Sequence, residues 1–479
     1  MELLRTKPAD QLVEECEGGH DFHRALNGFH LVLLGIGAIV GTGIFVLTGT
    51  AAAQHAGPAI AISFLISGLG CLCSALCYAE FATMLPISGS AYTYAYATIG
   101  ELIAWIIGWD LILEYLFGAA TVAVGWSGYA TALLADFGFK IPSALSHAPL
   151  DFDNGRLIFT GAFLNLPAIL VIVIITAILV LGIRESARTN AVIVFMKLLV
   201  VAAFLIVCFP HVQPQNWSPF IPPNQGHAGV YGWTGILTGA GVIFYAFIGF
   251  DAVTTAAQEV KNPRRDIPVG ILGSLLVCIV LYVAVSLVLT GVVNYKELNV
   301  PAPVSFAVTK VGPAVAWIKP FIELGALAGL SSVILVLLLG QPRIFHRMAT
   351  DGLLPPVFSK VHPRFRTPFV TTIVTGLAAA AFAGLFPIGV LSELVSIGTL
   401  LAFVIVSLSV IILRRTRPDL PRKFRTPWVP LVPILGALIC LVQMVFLPWQ
   451  TWLRLLIWLG LGLLIYFGYS RRHSALAPR

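Results

Sequence analysis

Lys197 stands inside the apolar stretch Asn190-Ala-Val-Ile-Val-Phe-Met-Lys-Leu-Leu-Val200. An ammonium there either snorkels along its stem to a polar boundary or serves as a buried, protonatable centre. Because burying it is costly, functional use is the reading taken. Asp110 and Glu114, in Gly108-Trp-Asp-Leu-Ile-Leu-Glu-Tyr115, fall at i and i+4 and share one helix face. Either carboxylate can attract a cation, relay a proton or pair with a buried donor. Asp251 ends Phe244-Tyr-Ala-Phe-Ile-Gly-Phe-Asp251, where it either acts on a bound group or pairs internally. Glu80 and Glu323 lie near the ends or midpoints of apolar stretches, and their spacing assigns them no role. Cys71, Cys73 and Cys77 have no histidine or carboxylate cluster beside them, so they read as small packing residues and not as metal ligands.

A second kind of chemistry comes from backbone. Gly35-Ile-Gly-Ala-Ile-Val-Gly-Thr-Gly-Ile-Phe45 places four glycines in an apolar run, each disfavouring helix by about 1 kcal/mol against alanine. Three readings compete: a phosphate-binding loop, a close helix-packing seam, and a transmembrane helix broken at its centre. A dinucleotide loop needs a preceding strand, but the flanks here are Leu-Val-Leu-Leu and Ile-Phe-Val-Leu. Gly37 and Gly41 match the small-xxx-small spacing of packed helices. The third reading gains from Phe244–Asp251, another apolar stretch interrupted by a glycine, Gly249, with a carboxylate beside it.

The elements that hold these residues follow from composition. The chain has 479 residues, 58% hydrophobic and only 11% charged, with a mean hydropathy of +0.91. Soluble domains are about a quarter charged, so this is an all-α integral membrane protein. Stretches long enough to span, about 20 residues each, lie near 30–53, 58–84, 100–134, 162–182, 189–210, 236–258, 268–292, 318–341, 369–386, 391–413, 429–447 and 450–470. With twelve spans, 22 of the 29 Lys and Arg residues fall on the side of the N-terminus. The positive-inside rule then puts both termini in the cytoplasm, the multi-pass chain lying in the cell membrane. The basic residues are dispersed between apolar stretches, which disfavours nucleic acid as a partner. The first 29 residues lack a signal-peptide core and read as a cytoplasmic segment, as do 471–479. Ser88-Gly-Ser-Ala-Tyr-Thr-Tyr94 reads as a cytoplasmic loop near an inner vestibule.

The two interrupted spans are the first and the sixth, so they enter the membrane in opposite directions, as inverted repeats require. Each break frees N–H and C=O groups that lipid cannot satisfy. N–H groups of Thr42 and Gly43, just after Gly41, together with the Thr42 hydroxyl can hold a carboxylate at a helix N-terminus. Unwound carbonyls ending the inner half-helices can hold an ammonium. A ligand carrying both charges on one carbon, an α-amino acid, fits the pair. Aromatic residues such as Phe244 around the second break are either a gate or ordinary core. No ATP-binding loop of Walker type occurs, and neither enzymatic activity nor a cofactor is expected.

Three separated motifs resemble the amino acid–polyamine–organocation superfamily, with the best match to prokaryotic members of its cationic amino acid transporter family. They are Ile36-Gly-Ala-Ile-Val-Gly-Thr-Gly-Ile-Phe45, the sixth-span segment leading into Glu259-Val-Lys-Asn-Pro-Arg-Arg-Asp-Ile-Pro268, and Gly340-Gln-Pro-Arg343 with Met348-Ala-Thr-Asp-Gly-Leu-Leu-Pro355. The resemblance covers about 24–470. It implies a leucine-transporter-type fold of five-plus-five inverted repeats, 30–210 and 236–413, with spans one and six unwound at the midplane and two further helices within 429–470. It implies that carbonyls of Ile39, Tyr245 and Ile248 meet a substrate ammonium while Thr42 and Gly43 meet its carboxylate. It further implies that Lys197 faces Gly37 and Ser331 or Ser332, coupling transport to protons. Gln258-Glu259 departs from the Glu-Glu pair frequent in the family, which weakens any role resting on two carboxylates there. The expected function is proton-coupled symport of an L-amino acid, with a sodium-independent exchanger or a non-transporting sensor as alternatives. Leu330, expected at the side-chain end of the pocket, favours a small substrate over a cationic one. Lipids are the surrounding partner, and a small single-span protein partner is left open.

Overall fold

The computed structural model describes Arg5 and residues 26–84, 91–153, 156–182, 187–255, 260–365, 367–416, 418 and 422–476. Most of the N-terminal segment, Ser88–Ser90, Gln258-Glu259 and the last three residues lie outside the described residues. The described chain is almost wholly helical, with one two-stranded ribbon, β1 (Leu150–Asp153) and β2 (Arg156–Phe159). Among the described residues, seven helical runs are long and apolar enough to cross a membrane: Gly43–Met84, Glu101–Asp136, Thr189–His211, Pro263–Val292, Pro313–Thr350, Ile388–Thr416 and Trp449–His473. Five shorter apolar helices accompany them: Gly28–Ile39, Leu166–Val180, Gly232–Phe247, Phe369–Leu385 and Leu431–Phe446. The protein is therefore a multi-pass, helical membrane protein.

The elements that build the site are α1 (Gly28–Ile39), α2 (Ile60–Met84), α3 (Ala91–Thr98), α4 (Glu101–Ile112) and α5 (Gly118–Asp136). After them come α6 (Leu166–Val180), α7 (Ala187–Cys208), α8 (Gly232–Ile243), α9 (Pro263–Val292), α10 (Pro303–Val311) and α11 (Lys319–Thr350). Outside these stand α12 (Phe369–Leu385), α13 (Ile388–Thr416), α14 (Leu431–Phe446) and α15 (Trp449–Ile465). Starts follow local chemistry. Asn27 caps α1 by accepting from the His30 N–H at 3.0 Å, and Asn165 caps α6 by accepting from Ala168. Prolines stand in the first turn of α6, α9, α10 and α11, where a missing N–H costs nothing.

Small residues let the helices approach, as expected where lipid supplies no hydrophobic drive between them. Ser63 and Ser67 of α2 donate to the carbonyls of Ile236 and Ala240 on α8, and Gly68 lies against Ile279 of α9. Large apolar side chains point outward instead, among them Leu170, Phe195, Leu438 and Leu456.

Two expectations change. The segment read as a loop is helical from Ala91 to Thr98, and the Tyr92 hydroxyl donates to Asp351 at 2.9 Å. Glu80, which had no assignment, accepts from Arg414 at 2.7 and 3.1 Å and from the Thr426 N–H at 2.7 Å, with Arg422 at 3.3 Å. It ties α2 to the end of α13 and to the segment after it, and nothing more is needed to explain a carboxylate there.

Candidate binding site between two helix breaks

The first break is a backbone event. α1 ends at Ile39, Val40 is extended with ψ 98°, and helix resumes at Gly43 through a π-helical turn, Gly43–Leu47. The second mirrors it. α8 passes into a tight turn over Phe244–Phe247, Ile248 is extended with ψ 142°, and Gly249 takes φ +109°. Only glycine adopts that last conformation without strain.

The two breaks touch each other. A Cβ on Gly43 would lie 2.3 Å from the Cβ and 2.5 Å from the Cα of Ala246. A Cβ on Gly249 would lie 3.0 Å from the carbonyl oxygen of Ala38. The glycines thus serve close approach as well as local conformation, so a bulky residue at Gly43 disturbs packing and backbone N–H presentation together. Tyr282 of α9 locks the pair: its hydroxyl lies 2.8 Å from the Ile39 carbonyl and 2.7 Å from that of Ala246, one on each break.

Between the breaks lies a cavity of about 20 Å³ bordered by Ile39, Gly41, Thr42, Gly43, Tyr245 and Ile248, with Glu114, Val122, Val333 and Leu337 completing its wall. That is room for about one water. The Thr42 hydroxyl is buried there and makes no hydrogen bond of good geometry among the described residues, and the Tyr245 hydroxyl donates to the Gly118 carbonyl at 3.1 Å. On one side a much larger vestibule, about 1380 Å³, reaches Val46 and Gly125. A Cβ on Gly125 would meet the Thr42 methyl at 2.8 Å and Val46 at 3.2 Å. One layer of side chains therefore separates vestibule from cavity.

Lys197 is fully buried, and its Nζ donates to the Gly37 carbonyl at 2.7 Å and to Ser332 Oγ at 3.4 Å. Its stem lies along Gly329, where a Cβ would be 3.0 Å from Cε. Ser331 points elsewhere, accepting from the Trp126 indole at 3.0 Å and donating to Leu327. Asp251 accepts from the Tyr115 hydroxyl at 3.0 Å, and Glu114 is within hydrogen-bonding reach of the same carboxylate. Asp110 is buried off the cavity against Gly398, its carboxylate making no hydrogen bond among the described residues. Glu323 accepts from Ser305 and lies 3.8 Å from Lys319. Leu330 and Phe244 are buried but do not border the cavity, and Phe244 packs edge-on against Phe403 at 5.4 Å. The wall positions on α11 are Val333 and Leu337 instead, one and two turns further along.

Sequence reasoning missed Tyr282, Val122, Val333 and Leu337. Each sits in a plain apolar stretch, and only the fold brings it to the site.

Residues 26–458 match the family model described as amino acid permease. The chain is 50% identical to a methylthioribose transporter and 48% identical to the branched-chain amino acid permease BcaP, both of Bacillus subtilis strain 168, each over 99% of both chains. It is 39% identical to the vacuolar cationic amino acid transporter 4 of Arabidopsis thaliana over 87% of this chain and 68% of that one. With two broken helices packed around a central cavity and a match over nearly its whole length, the chain belongs to the amino acid permease family of the amino acid–polyamine–organocation superfamily.

Proposed function

We propose that this protein is a secondary active transporter of L-amino acids, coupled to protons and working by alternating access. In this reading it crosses the cell membrane twelve times, as inverted repeats 30–210 and 236–413 followed by two helices within 429–470, with both termini cytoplasmic. The observation that carries the reading is the contact of the two breaks, Gly43 on Ala246 and Gly249 on Ala38. Residues of both breaks border one cavity, and helix-start N–H groups with unwound carbonyls there would suit a carboxylate and an ammonium on the same carbon.

The substrate carboxylate sits on the N–H groups of Thr42 and Gly43, and its ammonium on carbonyls of Ile39, Tyr245 and Ile248. Its side chain extends toward Val122, Val333 and Leu337, which favours a small or branched apolar amino acid. BcaP, named as a branched-chain amino acid permease, is consistent with that choice. A cationic side chain is the second reading, favoured by Glu114 on the same wall. Entry requires the layer of Thr42, Val46 and Gly125 to part, since the cavity holds only about one water.

Lys197 supplies the coupling. Charged, it braces the inner half of the first broken helix to α7 and α11 through Gly37 and Ser332. Losing its proton removes a charge-assisted bond and frees that half-helix to move. Uptake by proteoliposomes with alanine, leucine and arginine in competition separates the two side-chain readings. Leucine or alanine competing and arginine not doing so supports the first, and the reverse supports the second.

A further inference from the structure

The connection from α5 to α6 carries an exposed apolar surface. In the ribbon, Leu150 pairs with Phe159, Asp151 with Ile158, Phe152 with Leu157 and Asp153 with Arg156. Successive strand residues take opposite faces. The register therefore sets Leu150, Leu157 and Phe159 on one face, and Asp151 with Ile158 on the other. No other strand pairs with this ribbon among the described residues, and Leu157 and Phe159 are 50% and 76% exposed. Phe163, a few residues on, is 74% exposed. A loop in water does not keep such a surface bare, because large exposed apolar patches mark interaction sites.

Continuity identifies the occupant. Leu166, Leu170, Val173 and Ile174 are the exposed apolar stripe of α6, at helical spacing, and in a multi-pass membrane protein that stripe meets acyl chains. Phe163 stands three residues before Leu166, so the stripe runs on into the connection. The base of the ribbon is tied down by Thr160, whose N–H donates to the Pro149 carbonyl and whose hydroxyl donates to Ala148, and by the Phe163 N–H, which donates to Ala144.

We infer that the β1–β2 ribbon lies in the membrane interface, its Leu157 and Phe159 face at the headgroup–acyl boundary and its Asp151 face toward water. Leu150 at the base of the ribbon, with Asp151, Thr160 and Gly161, also borders the large vestibule. The lipid surface thus anchors one wall of the vestibule from outside. This follows from the surface of the connection and stands whether or not the protein transports amino acids.

Single cysteines at positions 157, 158, 159 and 163 test it, each spin-labelled in the full chain in liposomes of phosphatidylethanolamine and phosphatidylglycerol. The background is Cys16→Ser, since Cys71, Cys73, Cys77, Cys208, Cys278 and Cys440 are buried. Power saturation compares collisions with oxygen, which partitions into lipid, and with a water-soluble nickel chelate. Labels at 157, 159 and 163 should favour oxygen severalfold, and the label at 158 should favour nickel. Nickel access at 157 and 159 equal to that at 158 overturns the inference. Shielding of 157 and 159 from both reagents also overturns it, since that indicates a second copy or another protein as the cover. Monodisperse elution of each labelled variant guards against misfolding.

Discussion

The ammonium of Lys197 meets the carbonyl of Gly37 at 2.7 Å, two residues before the first helix breaks at Ile39. That ammonium therefore sits at the joint between α7 and the inner half of that helix. Lys197→Ala removes both bonds and leaves the cavity wall untouched. Substrate binding should persist, while accumulation driven by an imposed pH gradient should fall by about 5- to 30-fold, the effect of losing a coupling of about 1–2 kcal/mol. Binding by thermal shift and uptake in proteoliposomes check the two halves separately. Undiminished proton-driven accumulation sinks the coupling role.

Tyr282 holds the breaks together through one hydroxyl between two carbonyls. Tyr282→Phe leaves those buried acceptors short of a donor, a loss of about 1–3 kcal/mol. The melting temperature in detergent should drop, and added amino acid should restore less of it than in the parent protein. A melting temperature equal to the parent's would show that the two carbonyls find another donor.

Thr42 and Gly43 separate binding from packing. Thr42→Val keeps the shape and deletes only the hydroxyl, so affinity should weaken by roughly tenfold or less, about 1 kcal/mol, with the fold's stability kept. Gly43→Ala drives a methyl into Ala246, so it should destabilise the protein by about 1–3 kcal/mol and lower affinity as well. Scanning calorimetry with titration of substrate distinguishes them. Loss of stability in Thr42→Val with unchanged affinity would remove Thr42 from the site.

Val122 borders the cavity opposite the breaks. Val122→Ala enlarges the side-chain end, and preference should move toward longer apolar side chains by about 10-fold, in keeping with 1–3 kcal/mol per methylene in an apolar pocket. Competition of leucine against alanine for uptake reads this directly. An unchanged ratio would place the side-chain pocket elsewhere.

Much of this was legible because membrane physics writes itself into sequence. Apolar stretches, breaks at Gly35–Phe45 and Phe244–Asp251, and a lysine among aliphatics all violate local expectation, and violations are visible. Tyr282 violates nothing. It is one aromatic in an apolar helix, and its role exists only because two distant carbonyls converge on it. Choosing between Ser331 and Ser332 needed the rotation of α11 about its axis, since neighbours on a helix point about 100° apart. The same rotation sets Leu330 one turn from the cavity-lining Val333. The Ala91–Thr98 helix was hidden by glycine and serines just before it, which read as loop. The ribbon strands Leu150–Asp153 and Arg156–Phe159 are four residues each, too short for an alternating pattern to stand out in a connection.

Transport through the paired breaks is proposed to be driven by protons. Its most direct measurement is uptake of labelled amino acid by proteoliposomes with an acidic exterior, compared with the same vesicles at equal pH. Accumulation above the external concentration that collapses on adding a protonophore is predicted, and it should be lost in Lys197→Ala. Uptake that never exceeds the external concentration under any pH gradient, in protein that binds the amino acid, would contradict it.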